Sequence, residues 1–115
     1  MKKALIMEDN PHHAYIIQRF LVDMLFLCVV CENTFRGIDI AREGQMTVIV
    51  TDLKMPLMTG IEFVKEVRKF DATTPIVVIT AYAEYKKVAM KAGADYFIAK
   101  PIMLEEIKTL FSKFN

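Results

Sequence analysis

The sequence has no tryptophan, and only four glycines, four prolines and two cysteines in 115 residues. With so little Gly and Pro, and with no repeat or low-complexity run, nothing divides the chain. Residues 1–115 therefore read as one domain. Cys28 and Cys31 are too few for a disulfide framework or a four-thiolate zinc site. They lie in "LFLCVVCEN", which reads as a buried strand, where side chains three apart point to opposite faces. Two packed or lightly exposed thiols are expected there rather than a metal or redox pair. No charge of one sign prevails: fifteen Lys and Arg face fourteen Asp and Glu, a formal net charge of +1. That balance offers no general attraction to nucleic acid or anionic membrane. Long apolar runs are missing too. The stretch from Ala4 ends at Glu8, and "MLFLCVV" at 24–30 is far shorter than the about 20 residues of a membrane span. Neither is there a signal-peptide apolar region. A cytoplasmic chain is expected, with no membrane partner and no direct nucleic-acid contact.

What the sequence does contain is enough apolar side chain, 54% of residues, for a well-buried core. Short apolar runs recur at Ala4–Met7, Phe26–Val30, Val48–Val50, Ile76–Ile79 and Tyr96–Ala99. They are continuous rather than alternating, as strands covered on both faces should be. Helical spacing fills the intervals. Ala14, Ile17, Phe20, Leu21, Met24 and Leu25 share one face; Ile61, Val64, Val67 and the stem of Arg68 share another. Helices are also expected around Phe35–Arg42, over Glu84–Ala92 with Gly93 as a left-handed cap, and from Leu104 through Ile107, Leu110, Phe111 and Phe114. Strand and helix alternate five times, which predicts an α/β parallel sheet with helices on both faces.

Ligands of such a sheet gather outside the carboxyl ends of its strands. Glu8 and Asp9 follow the first strand, Asp52 the third, Thr80 the fourth and Lys100 the fifth. Taken alone, either aspartate reads as a helix or turn cap, Thr80 as a strand-end hydroxyl, and Lys100 as a solvated charge. Together they place three carboxylates, a hydroxyl and an ammonium at one edge. Crowded carboxylates stay ionised most readily around a cation, and oxygen-only sites suit Mg²⁺. A lysine and a hydroxyl beside them suit the charge of a phosphoryl group in transfer, with Asp52 the best placed nucleophile. No G-x-x-x-x-G-K-[ST] or G-x-G-x-x-G segment is present, against a nucleotide-cradling version of the fold.

The segments "LIMEDN" at 5–10, "VIVTDLKMPLMTG" at 48–60, "PIVVITAYA" at 75–83 and "AGADYFIAKPI" at 92–102 give the chain a close resemblance, along essentially its whole length, to the receiver domain of two-component response regulators, the CheY-like superfamily. The resemblance implies a (βα)5 doubly wound, flavodoxin-like, five-stranded parallel sheet of order 2-1-3-4-5. It implies Asp52 as phosphoacceptor and a Mg²⁺ site of Asp9, Asp52 and the Lys54 carbonyl, with Glu8 acting through water. Thr80 matches the switch hydroxyl, Phe97 the aromatic switch position, and Lys100 the lysine that pairs with the phosphoryl group. The Lys100–Pro101 bond would be cis. The donor would be a sensor histidine kinase or a histidine phosphotransfer domain. Phosphorylation would then change the surface of helix four, strand five and helix five for a downstream protein target, with a phosphorylation-dependent homodimer left open.

The match departs from the family pattern at Leu57, Thr59 and Phe97. Leu57 and Thr59 stand where the family more often has Gly and Asp, which bears on loop shape and helix capping rather than on the metal. Phe97 lacks the phenolic oxygen of many relatives. Lys54 and Tyr82, at the two positions that tune loss of the phosphoryl group, carry nothing that orients an attacking water. A phospho-form lasting minutes or longer is expected. Lys86, Lys87 and Lys91 form either a solvated face or a patch for an acidic partner, with Tyr82 and Tyr85 nearby. Two other readings compete. A small Mg²⁺-dependent α/β phosphohydrolase would need a substrate pocket, for which the short connections leave little material. A pseudo-receiver acting only as an interaction module is disfavoured by the full set of site residues. The start at Met1 favours a stand-alone regulator over an excised domain.

Overall fold

A computed structural model describes residues 1–114. Its elements run β1 (Lys3–Met7), α1 (Pro11–Asp23), β2 (Leu27–Cys31), α2 (Thr34–Arg42), β3 (Val48–Thr51), α3 (Gly60–Arg68), β4 (Ile76–Thr80), a 3₁₀ turn (Ala83–Tyr85), α4 (Lys86–Ala92), β5 (Tyr96–Ala99) and α5 (Leu104–Phe111). The five strands form one sheet of order β2-β1-β3-β4-β5, every neighbouring pair parallel. This is the (βα)5 architecture expected from the alternation of apolar runs and helical spacing.

Alternation along the strands builds two cores. Leu5, Met7, Ile49, Ile76 and Val78 face one side, with Ile38 and Ala41 of α2 and Phe63, Val64 and Val67 of α3. Ala4, Ile6, Val48, Val50, Val77 and Ile79 face the other, with Ile17 and Leu21 of α1 and Ile107, Leu110 and Phe111 of α5. Burial on both faces is why β1, β3 and β4 read as unbroken apolar runs.

Several expectations need correction. β2 is an edge strand rather than a buried one, and Leu27 and Val30 are exposed. A strand with one neighbour keeps fewer positions covered. Leu25 is 77% exposed and lies beyond α1 at φ 70°, so it leaves the apolar face assigned to it. The helix expected over 84–92 is a 3₁₀ turn followed by a short α4 in which only Ala89 is buried. On α3 the fully buried Phe63 joins Val64 and Val67 on the core face, and Ile61 is only half-buried.

Where Gly and Asp were expected, the substitutes do the same work. Leu57 adopts φ 72°, a left-handed conformation that a glycine enters at less cost. Thr59 caps α3 in a reciprocal box, its hydroxyl accepting from the Glu62 N–H while the Glu62 carboxylate accepts from the Thr59 N–H. Gly60 brings the first turn of α3 so close to the β3 end that a Cβ would run into the Asp52 carbonyl. The Lys100–Pro101 peptide is cis, as the resemblance implied. Gly93 caps α4 at φ 125°.

Candidate functional site: a lysine held by two carboxylates and an imidazole

The sheet order reverses between β1 and β3, and the two strands end level, Met7 opposite Thr51. Glu8 and Asp52 therefore emerge side by side at the switch point, where parallel α/β sheets bind ligands. Their backbones are tied down: the Asp52 N–H donates to the Met7 carbonyl at 3.1 Å and the Glu8 N–H to the Cys31 carbonyl at 3.2 Å. β5 ends level with β4, Thr80 opposite Ala99, which brings Lys100 in from the far side.

The Lys100 ammonium donates to Asp52 Oδ2 at 2.8 Å, to Glu8 Oε1 at 2.9 Å and contacts His13 Nδ1 at 2.8 Å. An ammonium has three N–H donors and no acceptor, so His13 Nδ1 must accept, which puts the imidazole proton on Nε2. Lys100 and Asp52 side chains are each 10% exposed and Glu8 2%, whereas His13 stands at the mouth at 40%. The remaining oxygens are also used. Asp52 Oδ1 accepts the Leu53 N–H at 2.6 Å, and Glu8 Oε2 accepts the Asn10 N–H at 3.2 Å. Among the described residues no buried side-chain polar atom lacks a partner.

The two carboxylates are driven apart electrostatically. Burial works to raise the pKa of Asp52, but the Lys100 ammonium, the Thr80 hydroxyl and the Leu53 N–H hold it below its ordinary value. Glu8 is more deeply buried and faces the charge of Asp52. Burial is the larger effect there, and its pKa is raised despite Lys100. Asp52 is thus the carboxylate held toward its ionised form, while Glu8 is the one readier to take a proton. Lys100 itself loses charge stability by burial, yet its two carboxylate partners raise its pKa on balance.

The other expected residues take these places. Thr80 is fully buried at the end of β4, its hydroxyl accepting the Tyr82 N–H at 3.3 Å. Phe97 is half-buried on β5, packed against the α3 side of the core. Asp9 and Lys54 are exposed at the rim, and the Lys54 ammonium sits 6.0 Å from the Tyr82 ring centroid. The tight group of ligand atoms, all within 4.8 Å of one another, comprises Glu8, His13 and Asp52, with Asp9 outside it. Sequence reading passed over His13. The available signal was its place in the first turn of the helix that follows the acidic pair, capped by Asn10, which turns that end of α1 toward the strand ends.

A parallel α/β sheet with an acid–lysine cluster at its switch point defines the class. The chain belongs to the response regulator receiver domain family, which it matches over residues 4–112. It is 26% identical to the chemotaxis protein CheY of Halobacterium salinarum over 96% of this chain and 94% of that protein. It is 32% identical to hybrid signal transduction histidine kinase G of Dictyostelium discoideum over 98% of this chain. The response regulator TrrA of Thermotoga maritima, solved in complex with Mg²⁺-BeF, superposes with a TM-score of 0.90 at 25% identity, covering 98% of each chain. The chain spans 4%, 25% and 46% of the length of three of the curated relatives it matches.

No helix among the described residues is long and apolar enough to cross a membrane.

Proposed function

We propose that residues 1–115 act as a single phosphoryl-accepting receiver in which Asp52 is the phosphoacceptor. The observation that carries this reading is the Asp52 carboxylate at the switch point, with one oxygen on the Lys100 ammonium at 2.8 Å and the other on the Leu53 N–H. In the transfer, an Asp52 oxygen attacks the phosphorus of a phosphohistidine. The O–P bond forms, the N–P bond breaks, and its electron pair leaves with the donor imidazole. Lys100 neutralises charge on the phosphoryl oxygens, and Leu53 N–H fixes the rotation of the carboxylate.

The donor set suits Mg²⁺, because two carboxylates on one ammonium leave a net negative charge and the ligands on offer are mainly oxygens. Asp9, Asp52 and the Lys54 carbonyl would hold the ion, with Glu8 through water. When bound, the ion supplies further neutralisation of the phosphoryl oxygens. Thr80 and Phe97 are the switch pair that passes the change to the α4–β5–α5 surface. There the exposed Lys86, Lys87 and Lys91 fit an acidic protein target. The donor is a sensor histidine kinase or a histidine phosphotransfer domain.

Incubation with Mg²⁺ and acetyl phosphate, followed by intact mass, tests the reading. The parent protein gains one phosphoryl group and Asp52→Ala gains none. An equal gain in both would remove Asp52 from the role.

A further inference from the structure

Among the described residues β2 has β1 on one side and no strand on the other. Its odd-numbered residues bond inward. The Leu27 N–H donates to the Lys2 carbonyl at 2.8 Å, and the Cys31 carbonyl accepts the Glu8 N–H at 3.2 Å. By alternation, the backbone N–H and C=O of Cys28 and Val30 point outward. Folded proteins guard such an edge with charge, proline or a bulge, or they cover it. Here residues 24–31, MLFLCVVC, carry no charge and no proline, and Leu25, Leu27 and Val30 are exposed. The other edge, β5, is lined by Glu105, Glu106 and Lys113. The apolar surface beside β2 extends onto α1. His13 turns one flank of that helix toward Lys100. Tyr15 lies about 200° round the helix from His13, and Val22 two turns on from Tyr15. Both therefore stand on the opposite flank, toward β2, and both are exposed.

We propose that this edge is an interface between two copies of the chain, in which β2 pairs antiparallel with β2 of the second copy about a two-fold axis through Val29. A second copy is the occupant because the strand fits itself. With Val29 opposite Val29, Cys28 meets Val30 of the second copy and Val30 meets its Cys28. Each pair exchanges two hydrogen bonds, and the outward groups of both residues are used. A slip of one residue would set those groups opposite residues already bonded to β1.

The charges at the strand's two ends match in the same register. The Lys2 ammonium sits 4.6 Å from the Phe26 ring centroid, and Glu32 follows the strand, exposed. Glu32 then comes opposite Phe26 of the second copy, beside its Lys2. Neither charge is in an ion pair among the described residues. Both α1 helices lie on one face of the joined sheet, with their Tyr15 and Val22 flanks turned to each other. They widen the contact toward the about 1,200 Å² that a specific interface buries, which two short strands alone do not reach. The pairing uses no atom of Asp52, Thr80 or Lys100, so it needs no phosphoryl group and stands apart from the function proposed above.

Sedimentation equilibrium over a micromolar-to-millimolar concentration series tests this, on the parent and on variants checked for fold by circular dichroism. The parent dimerises without Mg²⁺ or a phosphoryl donor. Val30→Lys raises Kd at least about tenfold, because each copy then presses an ammonium against Cys28 of the other. Lys2→Glu and Glu32→Lys each raise it roughly fivefold, the scale of two exposed ion pairs, and the double variant restores it. Cysteine placement fixes the register, in a background of Cys28→Ser and Cys31→Ser. Val29→Cys brings two thiols to the axis with Cα atoms about 4.5 Å apart, and copper phenanthroline links them. Leu27→Cys, on the same face, leaves its thiols about 13 Å apart along the strands, and they stay unlinked. A parent that remains monomeric throughout overturns the proposal. So does a Val30→Lys protein that associates like the parent, a double charge variant no tighter than the single ones, or Leu27→Cys that links as readily as Val29→Cys.

Discussion

Two largely buried cations sit at opposite ends of the sheet. At the amino end of β4 and β5, Arg68 is 16% exposed. It donates to the Gly93, Asp71 and Thr74 carbonyls at 2.9, 3.0 and 2.9 Å and to Asp95 Oδ2 at 2.8 Å. At the carboxyl end, Lys100 meets two carboxylates and an imidazole. Arg68 has one carboxylate and three backbone groups, so its charge is balanced and its partners cannot move without the chain. The Lys100 ammonium has only side-chain partners and a surplus of carboxylates, so its contacts are not tied to the backbone and, on the phosphoacceptor reading, can be given up to a phosphoryl group. The first arrangement staples α3 to the β4–β5 corner. The second is a site.

The largest separation between the two should come from removing each charge while keeping a stem. Lys100→Met is expected to slow phosphoryl uptake from acetyl phosphate by about 100-fold, the scale for losing one fixed electrostatic partner of a reacting group. Arg68→Met should leave that rate unchanged and lower the unfolding free energy by about 2–4 kcal/mol, because several bonds to a charged donor are lost together. Rate measurements and urea titrations on both variants check the pair. A slowed rate in Arg68→Met would merge the two ends into one functional unit.

A smaller effect distinguishes the loops. At the functional end, the β3–α3 loop keeps a left-handed residue that is not glycine, the exposed Leu57. Leu57→Gly is expected to stabilise the fold by about 1 kcal/mol, since the strain exceeds the entropy that glycine adds to the unfolded chain. Destabilisation in urea would mean that the side chain contributes more than the strain costs.

The smallest effect concerns acid. At the Arg68 end, the Asp71 carboxylate is pushed up by burial, but its bonds to Thr74 and Thr73 hold its pKa below the ordinary 3.8. A depressed folded pKa contributes stability that is present above the unfolded value and lost as pH falls through the folded one. The stability difference between parent and Asp71→Asn should therefore be constant near neutrality and shrink only below about pH 4. Denaturant midpoints at several pH values would show it, and a difference that grew in acid would reverse the sign assigned.

Much of this was legible in the sequence, for physical reasons that differ by residue. β1, β3 and β4 were plain because both faces are covered and no polar position interrupts them. Glu8, Asp52, Thr80 and Lys100 followed from strand ends alone, because a parallel sheet gathers those ends at one edge. β2 was misread as buried because apolar composition does not say which strand lies at the edge. α4 was drawn too long, since a helix with one buried residue has almost no periodic signal. The Arg68 staple, foreseen only as an apolar stem, depends on carbonyls, which carry no residue identity. His13 was missed for a related reason: which of two adjacent histidines in a first helical turn faces the strand ends shows only once the lysine from a distant strand is in place.

The central claim is that the carboxyl end is an exchangeable site and the amino end is not. Amide chemical shifts of the uniformly labelled protein, recorded with Mg²⁺ before and after adding beryllofluoride, test it most directly. Thr80, Phe97 and Lys100 should shift strongly in the parent and remain still in Asp52→Ala, while Arg68, Gly93 and Asp95 change little in either. Shifts that persist in Asp52→Ala, or that are as large around Arg68 as around Lys100, would contradict the account.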